Sequence, residues 1–286
     1  MTRPAEIVPF IAQSRSGRRR RRTRAAANNR SEWSPVKRRL IIQLLAFAII
    51  AFVVAWTSWF AALAWPRLPK IAPLAGLFAP AFAAALVGGR AGRRALVLRA
   101  ARWRFSFRWY GIALLLMPTF YAVALWIDHA VFGFDLSRLW SGSSPIFLAA
   151  SFAWLLFVTS GEEIGWRGFA LPRLLDLGLS PLTSSVVLGL VWGLWHLPFY
   201  LAPGQSSIPY PLFLLLATGL SLVYTALFLR TNGSLVPAVL LHATTDFGAR
   251  LYRIDRFDGR AWLLVDLLVA AAGILLLQRA RVAATT

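Results

Sequence analysis

The chain has 286 residues, 58% of them apolar, with 31 Lys or Arg against only 11 Asp or Glu and a net charge of +20. So apolar a chain, with its charges gathered into short stretches, excludes an ordinary soluble surface and makes lipid the main solvent. The absence of cysteine excludes disulfides, thiolate zinc sites and a cysteine nucleophile.

Residues 1–39 form a basic tail with 12 Lys or Arg, including the run Arg18 to Arg22, against Glu6 and Glu32. Such a segment suits nucleic acid or anionic lipid. The apolar run that starts at Leu40 favours a cytoplasmic tail on anionic headgroups, so membrane lipid is the expected partner and nucleic acid is not. No small-residue cleavage site follows that run, which therefore reads as a retained span and not as a signal peptide.

A helix crossing a bilayer needs roughly 20 mostly apolar residues. Runs of that kind fall at about Leu40–Ala64, Ile71–Gly88, Trp109–Phe132, Pro145–Leu175, Pro181–Leu201, Pro211–Leu229, Leu235–Leu251 and Trp262–Leu277. The expected fold is all-α, a polytopic membrane bundle of about eight spans over residues 40–286. Arg90, Arg93, Arg94, Arg99, Arg102, Arg104 and Arg108 share one acid-free connection, which with the tail sets both termini in the cytoplasm and points to a multi-pass plasma-membrane protein. Arg250, Arg253, Arg256 and Arg260 would then lie outside, partly offset by Asp246, Asp255 and Asp258.

Ionisable groups within apolar spans are costly and are functional candidates by default. The fourth run carries Glu162, Glu163 and Arg167, the fifth Trp192 and His196, and the seventh His242 and Asp246. Glu163 and Arg167 are i, i+4 neighbours in the favourable order, and His242 and Asp246 share a face by the same spacing. Glu162 and His196 lie at similar distances on either side of a turn around Gly178 and Leu179, so antiparallel packing gives them similar depth. Asp128 and His129 sit at a span end and are expected at the interface, while Asp266 is expected as a helix contact.

Glu-Glu-x-x-x-Arg, aromatic-x-x-x-His and His-x-x-x-Asp on successive apolar segments resemble the CAAX prenyl protease and bacteriocin-processing (CPBP, or Abi) family of membrane proteases, over about Pro145 to Leu251. Trp192 stands where that family more often has Phe, and Asp246 where many members have Asn. The resemblance implies an intramembrane endopeptidase acting on membrane-associated proteins or peptides. It implies Glu162 as general base, His196 sharing the water, His242 and Asp246 at the tetrahedral intermediate, and Glu163 with Arg167 shaping the site. Family members have often been called metalloproteases. A zinc ion would draw on Glu162, His196 and His242, but no His-Glu-x-x-His helix is present and a metal-free site is favoured. Three other readings stand beside this one: a rhomboid-type serine protease using Ser160, with Val158 where the rhomboid pattern has Gly; a non-catalytic scaffold or bacteriocin-immunity protein; and a transporter, for which no paired broken helices speak. The substrate is open between prenylated tails, leader peptides and membrane-protein segments.

Overall fold

In the computed structural model, residues 34–65, 67, 72–135, 143–201, 208–252 and 259–283 are described. The basic tail through residue 33, the connection at 202–207 and the charged group Arg253, Asp255, Arg256 and Asp258 lie outside the described residues.

Ser-Pro pairs open three of the helices. In α1 (Pro35–Ala64), α4 (Pro145–Gly165) and α6 (Pro181–Trp195), the hydroxyls of Ser34, Ser144 and Ser180 accept from the backbone N–H of Lys37, Phe147 and Thr183. Each proline follows its cap, where a missing N–H costs nothing. The remaining helices are α2 (Ala72–Ala100), α3 (Phe107–Phe132), α5 (Leu171–Asp176), α7 (Leu197–Leu201), α8 (Tyr210–Arg230), α9 (Val236–Leu251) and α10 (Gly259–Ala283), and the described residues contain no strand.

The result is a polytopic helical bundle. Among the described residues, six helical stretches are long and apolar enough to cross a bilayer: 35–64, 73–100, 107–132, 145–176, 210–230 and 259–278. The other two expected spans are also helical but short, with 15 residues in α6 and 16 in α9. At 1.5 Å per residue they reach about 22 to 24 Å, less than the roughly 30 Å of a hydrocarbon core. The fifth expected span is not continuous: α6 ends at His196, because Pro198 lacks an N–H and its ring opposes the carbonyl of Leu194.

The overlong fourth span is one helical rod with a π-helical turn, Trp166–Ala170, set between α4 and α5. A left-handed Gly178 (φ 91°) then closes α5 and turns the chain into α6. The second span runs past its expected end, but Gly89 adopts φ 59° and ψ −160° and kinks it, while the Arg93 guanidinium donates to the Ala85 carbonyl nearby.

The helices meet through small residues. A Cβ on Gly161 would meet Leu77 and Phe78, one on Gly165 would meet Pro80, and one on Gly189 would meet Ala217 and Thr218. In lipid, close backbone approach of this kind supplies the dispersion that holds helices together. Outward faces stay apolar, with Ile42, Leu45, Ile49 and Val53 all more than half exposed along α1.

At one end of the bundle the α2–α3 connection is tied down. Arg99 donates to the Gly168 carbonyl at 2.6 Å, Ser234 donates to the Arg102 carbonyl at 2.5 Å, and the Arg102 guanidinium bonds the Asn232 carbonyl. These bonds brace the π-helical turn and the α8–α9 turn against each other.

Candidate active site

The π-helical turn follows directly on the two glutamates. An i to i+5 turn widens the helix by one residue and re-aims the side chains on it, and such turns cluster at functional sites. Here the Leu171 N–H bonds the Trp166 carbonyl, and Arg167 leaves the turn toward the bundle interior with no exposed surface.

Glu163 is equally buried, and its Oε1 accepts from Arg167 Nη1 at 2.9 Å. The same oxygen accepts from His242 Nδ1, also at 2.9 Å, which reaches it from α9. A carboxylate oxygen can only accept, so His242 carries a proton on Nδ1 and turns Nε2 away from Glu163. Arg167 is enclosed by aromatic faces: its Cζ lies 4.0 Å from the Tyr224 ring centroid and 4.6 Å from that of Trp192. Cation–π attraction and one bidentate-capable carboxylate thus offset the desolvation of a guanidinium deep in the bundle. Among the described residues, Arg167 Nε and Nη2, Glu163 Oε2 and the Tyr224 hydroxyl have no hydrogen-bond partner.

Glu162 is also buried, at 5% exposure, and makes a separate contact. Its Oε2 accepts from the Trp192 indole Nε1–H at 2.8 Å. His196 sits where α6 stops, and its Nδ1 donates to the Trp192 carbonyl at 2.9 Å, which satisfies an end carbonyl of the helix. With Nδ1 protonated, Nε2 of the neutral ring holds a lone pair, and it lies 3.9 Å from Glu162 Oε2. That separation is too long for a direct hydrogen bond.

Trp192 is the centre of the cluster. Its ring stands edge-on to His196 at 5.3 Å and to His242 at 5.4 Å between centroids, beside its contacts with Glu162 and Arg167. Glu162, Glu163, Arg167, His196 and His242 therefore come together between α4, the π-helical turn, α6 and α9. Asp246 is half-buried one turn beyond His242 and has no hydrogen-bond partner among the described residues. His242 and Asp246 share a face of α9, and His242 spends its Nδ1–H on Glu163.

Tyr224 was missed by motif reading. It belongs to none of the three clusters, and the one sequence signal it offers is an aromatic hydroxyl in the middle of an apolar span. Ser160 donates its hydroxyl to the Phe157 carbonyl at 2.6 Å, and with His242 Nδ1 on Glu163 no serine–histidine pair is formed. Asp128 and His129 both lie near the C-terminal end of α3; Asp128 is buried, at 1% exposure, whereas His129 is exposed and bonded to the Phe134 carbonyl at 2.7 Å. Asp266 is buried on α10, and among the described residues neither carboxylate oxygen has a hydrogen-bond partner.

Residues 143–248 match the family model described as "Type II CAAX prenyl endopeptidase Rce1-like". This stretch, just over a third of the chain, contains every residue of the cluster. The chain is also similar to "CAAX prenyl protease 2" of Methanococcus maripaludis, at 30% identity over 176 residues, which cover 57% of this chain and 64% of the relative. The alignment thus spans a little under two thirds of that relative. Both comparisons are likenesses to CAAX prenyl proteases, and the several long apolar helices are those of a multi-pass membrane protein.

Proposed function

We propose that this chain is an intramembrane endopeptidase of the CPBP family, hydrolysing peptide bonds of membrane-associated substrates with Glu162 as general base. The observation that carries the reading is the 3.9 Å gap between Glu162 Oε2 and the Nε2 lone pair of His196, which one water spans by bonding to both. Glu162 takes a proton from that water as its oxygen attacks the scissile carbonyl carbon. The carbonyl oxygen becomes an oxyanion, to which His242, in its doubly protonated form, donates from Nε2. When the tetrahedral intermediate collapses, the C–N bond breaks and Glu162 passes the proton to the leaving amine. Glu163 and Arg167 hold His242 in place and do not exchange protons with substrate. Asp246 lies one turn further along α9, on the face it shares with His242.

Substrates with lipidated C-terminal tails are one class that the two comparisons favour; leader peptides and membrane-protein segments are the others. The basic α2–α3 connection and the start of α1 lie at one end of the bundle, which supports a cytoplasmic position for that end and for both termini.

A zinc ion held by Glu162, His196 and His242 fits the arrangement poorly. Among the described residues, no three His, Cys, Asp or Glu side chains form a metal-ligating group, and Glu162 Oε2 is engaged by the Trp192 indole. No step above passes through a metal. Cleavage by purified protein is expected to survive exhaustive treatment with a strong zinc chelator; loss of activity on chelation, with recovery on zinc re-addition, would reverse this.

Glu162→Gln keeps the shape of the side chain and its acceptor for Trp192 but cannot accept the water proton. Turnover of a membrane-embedded peptide is expected to fall by at least about 1000-fold, in the range of lost general-base function, with the melting temperature in detergent nearly unchanged. Retained cleavage would remove Glu162 from this role and favour the scaffold reading.

A further inference from the structure

We propose that Trp192 is the positioning residue of the general base: its indole N–H fixes Oε2 of Glu162 and thereby aims the free lone pair of that oxygen at the proton of the water. This inference rests on the role of Glu162 proposed above.

A glutamate at the end of two rotatable methylenes has several rotamers of similar energy, and a base that samples them spends much of its time out of line with the reacting water. Nε1 of Trp192 lies 2.8 Å from Oε2, and both residues are nearly or fully buried, at 2% and 5% exposure. No other described hydrogen bond holds the Glu162 carboxylate, so the indole is the constraint on its rotation. Indole nitrogen is a donor only. It therefore takes one lone pair of that oxygen and leaves the other to the water, which needs a base as its partner.

The indole is in turn held on every side. Arg167 lies over its face at 4.6 Å, the edges of both imidazoles meet it, and Tyr224 stands at 6.0 Å with its ring nearly perpendicular. The backbone of the same residue fixes His196 through the Trp192 carbonyl. One residue thus sets both groups that flank the water: Glu162 through its side chain and His196 through its main chain. A phenyl ring at this place would keep the face toward Arg167 and the edges toward the histidines, and would lose only the N–H.

The test separates the N–H from the ring. Trp192 is replaced by Phe, and separately by β-(3-benzothienyl)alanine, an isostere with sulfur in place of N–H. Both variants are compared with wild type for kcat, KM and thermal unfolding in detergent. A hydrogen bond to a charged group is worth enough to lower kcat by about 10- to 100-fold in each, with KM within about twofold. A benzothienyl variant with wild-type kcat would overturn the proposal. So would an equal loss that appears wholly in KM, because positioning the base leaves substrate binding alone. A thermal double-mutant cycle between Trp192→Phe and Glu162→Leu, which removes the acceptor at similar volume, reads the contact without catalysis. Coupling between the two is expected, and additive effects would overturn the positioning role even where cleavage is intact. Coupling without any cleavage by wild type would instead overturn the base assignment on which the proposal stands.

Discussion

Arg167 shows how a full charge is kept inside an apolar bundle. One carboxylate, Glu163, supplies the counter-charge at 2.9 Å, and the faces of Tyr224 and Trp192 supply the rest of the surroundings that water would give. The pair was legible in the sequence, because i, i+4 spacing makes neighbours on any helix. The third member, His242, was not legible as its partner, since no spacing rule links residues so far apart in the chain. Arg167→Ala leaves Glu163 buried with His242 as its sole remaining partner. A loss of about 3–5 kcal/mol is expected, read as a lower unfolding midpoint and poor yield in detergent. Lys should not rescue it, because an ammonium cannot lie flat between two rings while reaching Glu163. If Arg167→Ala is as stable as wild type yet inactive, the guanidinium takes part in the chemistry and not in the packing.

At the scale of elements, α4 carries the glutamates and must lie close to α2 to aim them inward. Gly165 permits this: a Cβ there would fall on the backbone and ring of Pro80, neither of which can move aside cheaply. Gly165→Ala is expected to destabilise by about 1–3 kcal/mol through forced separation of the two helices. Gly111 on α3 is the control, with nothing within 4 Å of an added Cβ. Gly111→Ala should stabilise by about 0.5–1 kcal/mol from helix propensity alone. Both values come from unfolding in one detergent, and equal effects at the two glycines would refute the close-packing argument. Two element-level features escaped the hydropathy pattern. The π-helical turn has the same composition as the α-helix around it, and the break at His196 depends on Pro198, a residue that membrane spans often tolerate.

For the molecule as a whole, the site draws on α4, the π-helical turn, α6, α8 and α9, and no residue before Pro35 is among its described parts. The tail should therefore be dispensable for chemistry. Deleting Met1 to Arg30 is expected to leave cleavage of a small peptide intact in detergent. The same deletion should weaken attraction to anionic vesicles by about 1 kcal/mol for each basic residue that reaches the surface. Loss of cleavage in detergent would mean that the tail is part of the fold.

The sequence by itself determined that the chain is an all-helical membrane bundle, where most of its helices lie, and which few polar residues stand inside them. Those properties are local: the cost of a charge in hydrocarbon and the length of an apolar run depend on neighbours along the chain. Only the tertiary structure decided that His242 bonds Glu163 and not Asp246, that Trp192 holds Glu162, that Tyr224 covers Arg167, and that His196 faces Glu162 across 3.9 Å. Each of these joins residues on different helices. Their meeting depends on how small residues let α2 and α4, and α6 and α8, approach, and on the turn by which the π-helical segment rotates Arg167 inward, none of which leaves a period in the sequence.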